Sequence, residues 1–209
     1  MNKCTTKSLY DSIQSCPGQK NLPGIRRRLY YIPKSFIAAF PQLPKLGDLA
    51  VTSMAALAKL EGDFVLDQDK FFQFIDLKDE ASNVTFEPAG DDSPLFNNQA
   101  SAIVIGMPDE VKGFARQTID DDLVYVYQDR AGKFCVIGNE MFKTKTSPSG
   151  DTGAEATAST TSTFAISCFD ECPVPTYVGK LPISAEEYID CSTGEVMAYA
   201  DDTEEDDGE

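Results

Sequence analysis

Apolar and polar residues alternate in short runs along most of this chain, and the runs have the length and composition of β-strands. Residues 25–32, Ile-Arg-Arg-Arg-Leu-Tyr-Tyr-Ile, are β-branched, aromatic or long, and Pro33 closes them. Pro33, Pro41 and Pro44, with Gly47, then punctuate a crossing segment in which no long regular element fits. Residues 49–60 are rich in Ala and Leu. Leu49, Met54, Leu57 and Leu60 fit one helical face, and a β connection fits the same stretch. From Gly62 the texture is that of strands: Phe64-Val65-Leu66, residues 71–77 and Val84-Thr85-Phe86, separated by Asp, Asn and Lys. Within 71–77, Phe72 and Phe74 have one parity and Phe71, Ile75 and Leu77 the other, so both faces are expected to be partly buried, as in a sandwich.

Residues 88–99 read as a loop and 101–107 as an apolar strand. Residues 108–117 predict one short helix, with Asp109 and Glu110 in its first turn and Val111, Phe114 and Ala115 on one side. Two alternating runs, 123–128 and 133–138, flank Asp129-Arg130-Ala131-Gly132 and predict a hairpin. Residues 143–162, full of Ser, Thr, Ala and Gly, carry no periodicity and are expected to form a long exposed loop. A strand at 163–169 follows, then a proline-punctuated stretch at 173–183 and a turn at 190–194. Seven of the last nine residues are acidic, a composition expected to be disordered when unpaired.

Charge changes this picture most. The first 48 residues carry eight basic and two acidic side chains, and the other 161 carry ten and thirty-two, for a net charge of −16. A chain polarised in this way attracts a second copy of itself, cationic end to anionic body. The same acidity opposes nonspecific binding of nucleic acid by the body and leaves a DNA-mimic role open. Histidine is absent, which removes the commonest general base and metal ligand. No apolar signal core follows Met1 and no run approaches a membrane span, so the six cysteines are expected to be free thiols in a reducing cytoplasm.

Candidate chemistry is sparse. Cys168 and Cys172 have the wrong spacing for a Cys-x-x-Cys motif, and a zinc site that adds Cys135 and Cys191 is the alternative to plain burial. Asp120-Asp121-Asp122 and Gly90-Asp91-Asp92 offer carboxylates to Ca²⁺ without an EF-hand pattern, and a helix end and a solvated loop account for them as well. No phosphate loop, dinucleotide fingerprint or nucleophile elbow is present. The candidates for docking a neighbouring subunit are Arg26, Arg27, Arg28, Tyr30, Tyr31 and Lys34. Strict alternation puts Arg26 and Arg28 on one face and Arg27 on the other, so no single groove is expected to receive all three. Tyr30, Tyr31, Tyr125 and Tyr127 suit an interface or the core equally.

The order of several motifs resembles the tail-tube-like virion proteins of tailed bacteriophages. The resemblance runs through Val84 to Asp91, the helix near Gly113-Phe114-Ala115, the hairpin Val124 to Gly138, the loop with Thr152-Gly153 and the segment Glu171 to Tyr177. The basic string from Cys16-Pro17-Gly18 to Tyr30-Tyr31-Ile32-Pro33 is similar to structural proteins from phages of gut Bacteroidetes, including crAss-like phages. The resemblance spans about residues 17–177 and implies a mainly β, tail-tube-like sandwich or rolled sheet with one short helix, an extended N-terminal arm and an acidic C-terminal tail.

It also implies a non-enzymatic ring protein of the neck or tail, made in the host cytoplasm and residing in the virion, with no cofactor and no membrane. The implied partners are further copies of the chain, adjacent portal, ring or tail proteins, and genomic DNA passing through the lumen without sequence-specific binding. The expected division is a basic arm at 1–47, a β-domain at 48–183 and a C-terminal extension at 184–209, so that removing residues 1–45 leaves a folded β protein. Two other classes remain: an acidic DNA-mimic inhibitor and a glycan-binding fibre accessory.

Overall fold

Fifteen strands and one α-helix are arranged in layers about a central sheet in the computed structural model, which describes residues 9–14, 17–18, 22–48, 51–155 and 157–199. The strands are β1 (Ile25–Pro33), β2 (Ile37–Ala39), β3 (Lys59–Leu60), β4 (Val65–Leu66), β5 (Gln73–Asp76), β6 (Asn83–Pro88) and β7 (Phe96–Ile105). The helix α1 (Asp109–Thr118) precedes β8 (Leu123–Asp129), β9 (Phe134–Ile137), β10 (Lys145–Asp151), β11 (Thr161–Asp170) and β12 (Thr176–Tyr177). Then come β13 (Lys180–Pro182), β14 (Glu187–Asp190) and β15 (Glu195–Ala198). The expected mainly β fold with one helix is what forms.

The central sheet has the order β3-β12-β9-β8-β1-β5, and a four-stranded sheet, β10-β11-β7-β6, packs on one of its faces. Between them, Leu29, Leu123, Tyr125, Tyr127 and Ile137 meet Ala100, Ala102, Val104, Phe164 and Ile166. Helix α1 joins this core through Phe114, whose ring lies 4.8 Å from Tyr31 and 5.1 Å from Phe164. On the other face, Tyr30, Ile32, Val124, Val126 and Val136 pack against Phe64, Phe72, Tyr177, Leu181 and Ile189. Phe64 and Phe72 flank β4, Tyr177 belongs to β12 of the central sheet itself, and Leu181 and Ile189 come from a small sheet, β13-β14-β15. Burial on both faces explains the unbroken apolar run of β8: its alternating side chains enter two different cores. In β11, Phe164, Ile166 and Cys168 are buried while the intervening residues face outward, as expected of a sheet covered on one side.

Several expectations need correction. Residues 1–47 are not a separable arm: β1 lies between β8 and β5, with Leu29 and Ile32 in the core. Its arginines marked it as exposed, whereas the register with β8 made it central. The boundary at 183/184 also falls inside a structural unit, because β13 pairs with β14. The loop expected at 143–162 contains β10, which pairs with β11 from Lys145 to Asp151. Its Ser- and Gly-rich outer position needs little apolar periodicity, and Pro148 is tolerated on an edge. β7 starts at Phe96, inside the expected 88–99 loop, since Asn97 and Asn98 join the ladder with β6 and β11. Residues 56–58 form a single 3-10 turn before β3 rather than a helix along 49–60, and Leu49 lies outside the described residues. Pairing of β3 with β12 wins over the Ala-rich helical propensity. The acidic tail at 201–209 also lies outside the described residues.

Candidate assembly surface

The basic string adopts a geometry that strict alternation excludes. Between Ile25 and Leu29, β1 takes four steps while β8 takes two, from Asp129 to Tyr127. Extra residues in one strand bend it and release its side chains from the pleat. Ile25 and Leu29 stay buried while Arg27, which shares their parity, is released to join Arg26 and Arg28 in solvent. The three arginines line one open groove of about 1150 Å³ together with Arg130, Asp76 and Asp79. The expectation that no groove receives all three is therefore overturned by the bulge.

Most of this charge is engaged within the chain. An Arg27 guanidinium nitrogen lies 2.8 Å from Asp79, and Arg28 Nε lies 3.2 Å from Asp76 with its guanidinium 3.9 Å from the centre of the Phe74 ring. Arg130 approaches Asp79 at 3.9 Å and Glu80 at 3.7 Å, and Arg26 donates to Gln128 Oε1 at 3.0 Å. These exposed pairs are worth about 0–1 kcal/mol each, so they orient the groove more than they stabilise the fold.

The other three docking candidates serve the fold. Tyr30 is buried beside Phe74, and burial raises its pKa. Tyr31 is half-buried against Phe114, again with a pKa raised by burial. Lys34, its side chain 18% exposed, reaches Asp122 at 3.4 Å and donates to the Phe142 carbonyl at 3.1 Å. Asp122 in turn accepts the Thr144 N–H at 2.9 Å, so one carboxylate of the acidic triplet fixes the start of β8 to β1 and β10. Tyr125 and Tyr127 are core residues, and Tyr125 shares a 2.7 Å hydrogen bond with Thr146.

Cys135, Cys168, Cys172 and Cys191 are buried free thiols, and among the described residues no group of three His, Cys, Asp or Glu side chains is placed to hold a metal ion. Burial pushes the Cys135 and Cys172 thiols up to about 11, which leaves them protonated and unreactive at neutral pH.

Two features had no signal in the sequence. One is the outer strand β15, all of whose residues are exposed: Val196 at 57% and Met197 at 43%, followed by exposed Tyr199. Glu-Val-Met-Ala has no pattern that distinguishes an edge from an inner strand; only the topology shows that, among the described residues, it is paired on one side alone. The other is a half-open groove of about 790 Å³ at one end of the central sheet, with walls from Phe40, Leu43, Leu57, Met141 and Phe142. Asp170 sits in it, almost completely buried, and accepts the Cys172 N–H at 3.3 Å. Desolvation raises its pKa, against the hydrogen bonds from Asn139 and Cys172 that favour the charged form.

No family model, curated protein or solved structure matches this chain.

Proposed function

We propose that this chain is a non-enzymatic structural protein of a tailed-phage virion, which closes into a ring in the neck or tail through which the genome passes. The observation that carries the assembly half of this reading is the edge of β15, which no described residue covers, with Val196, Met197 and Tyr199 exposed. A protein that works alone blunts such edges with lysine, proline or a covering segment, because open backbone groups beside apolar side chains recruit another strand. Phe86 on the outer strand β6 is exposed in the same way. The viral half rests on the motif resemblance, and the absence of histidine bears only on the non-enzymatic part.

In such a ring the four-stranded sheet suits the lumen. Its uncovered face carries the hydroxyls and amide of Thr85, Gln99, Ser101, Thr163, Ser147 and Ser167, together with Lys145, Glu87 and Asp151 and the exposed Ile105 and Phe169. The hydroxyls and amide keep much of this face wet, and its one lysine, Lys145, is outnumbered by Glu87 and Asp151, so the face is a weak trap for a passing polyanion. The net charge of −16 adds repulsion at longer range.

Light scattering with negative-stain microscopy of the purified protein, repeated in the presence of virions disrupted to expose their necks and tails, tests the proposal. Closed rings, short tubes or rings seated on the disrupted particles are expected. A monomer that joins neither itself nor any particle overturns it.

A further inference from the structure

Residues 9–14 lie outside every helix and strand, and Tyr10 and Ile13 are 93% and 90% exposed. Among the described residues, these two large apolar side chains, within four residues of each other, have no seat on their own chain. The chain from Ile13 to Ile25 spans up to about 40 Å when extended, enough to carry the leader onto a neighbour. The preceding residues add Lys3 and Lys7. The groove between Phe40, Leu57 and Met141 has the opposite character: it is apolar and open, bordered by exposed Glu140 and Glu171 and containing Asp170, with Lys45 the one basic residue in its lining. Met141, at its mouth, is 68% exposed.

We infer that residues 9–14 of one copy dock into this groove on a second copy, Tyr10 and Ile13 filling the apolar walls while Lys3 and Lys7 meet Glu140 and Glu171. The contact is heterologous, since leader and groove are different surfaces, and it therefore propagates around a ring or from one ring to the next. It replaces the arginine string, which is tied into the central sheet, as the part of the N-terminal region that reaches a neighbour. The inference rests on the self-assembly part of the proposed function and is independent of the viral part.

The test uses the full chain with Tyr10→p-benzoylphenylalanine, irradiated at high protein concentration as an equal mixture of isotopically light and heavy protein. Crosslinks joining light to heavy chains, at residues 40–46, 54–60 or 139–142, are expected. Adding Met141→Arg, which sets a cation where the leader lysines arrive, is expected to cut their yield by at least about tenfold. Met141 is exposed, so the thermal melt of that variant should match the parent. Crosslinks confined to single chains, crosslinks elsewhere on the second copy, or none at all would each overturn the inference. Rings that form in microscopy without these crosslinks overturn the docking alone and leave the proposed function standing. Crosslinks without rings do the reverse.

Discussion

Tyr177 shows how much one buried side chain can organise. Its hydroxyl accepts the Phe64 N–H at 3.3 Å and donates to the Lys180 carbonyl at 2.6 Å, while its ring lies 5.0 Å from that of Phe64. Tyr177→Phe keeps the ring and strands both backbone groups, so a loss of about 1–3 kcal/mol in denaturant unfolding is expected. Asp170 makes the opposite kind of contribution. Its folded pKa lies above the ordinary 3.8, so between those two values the folded state binds more protons than the unfolded chain. Stability therefore falls as pH rises through that interval, and the deficit persists at neutral pH. Asp170→Asn should flatten this part of the pH–stability profile, and an unchanged slope would contradict the assignment. Neither role was legible beforehand: Tyr177 looked like one aromatic in a proline-rich stretch, and Asp170 like one acid among thirty-four. Burial, which depends on distant parts of the chain, sets both.

At the scale of elements, local chemistry and long-range pairing divide the work. The β8–β9 hairpin was readable because alternation, turn residues and Gly132 at φ 97° all specify the same structure within sixteen residues. Helix α1 was readable for a similar reason, with acids at its start and an apolar stripe along it. β10 and β15 were invisible, because an outer strand with little to bury needs only a partner's ladder. β1 was recognised as a strand and misjudged in place: three arginines in a row suggested an arm, and only the bulge lets them project while Leu29 and Ile32 stay inside. Truncation separates the two parts of the N-terminal region. Removing residues 1–21 should leave thermal stability within about 0.5 kcal/mol of the parent while weakening assembly. Removing residues 1–33 deletes an inner strand of the central sheet, and loss of the cooperative melt is expected; a native-like melt would show that β1 is dispensable.

For the whole molecule, the proposed association of copies draws on the β15 and β6 edges and on the charge asymmetry. The β15 edge gives a direct probe, because Val196 and Met197 are exposed and carry no core packing. Val196→Lys with Met197→Glu should change stability by no more than about 0.5 kcal/mol, since both sites are on the surface. The same pair of changes should abolish higher-order species in sedimentation velocity. Retention of those species would shift the contact to another edge, with Phe86 on β6 the next to probe. Raising the salt concentration should weaken any contact made by the leader lysines or the arginine groove, and should spare contacts made through β15.

Local sequence alone determined the strands of the hairpin, the position of the helix, the β-rich class and the charge asymmetry, because neighbours along the chain suffice to fix periodicity, turn chemistry and composition. Tertiary structure alone decided that the arginine string belongs to the central sheet, that β15 is paired on one side alone among the described residues, and that Met141 and Asp170 share a groove. Those outcomes depend on which strands meet across long stretches of chain, and on which groups water can still reach once they have met.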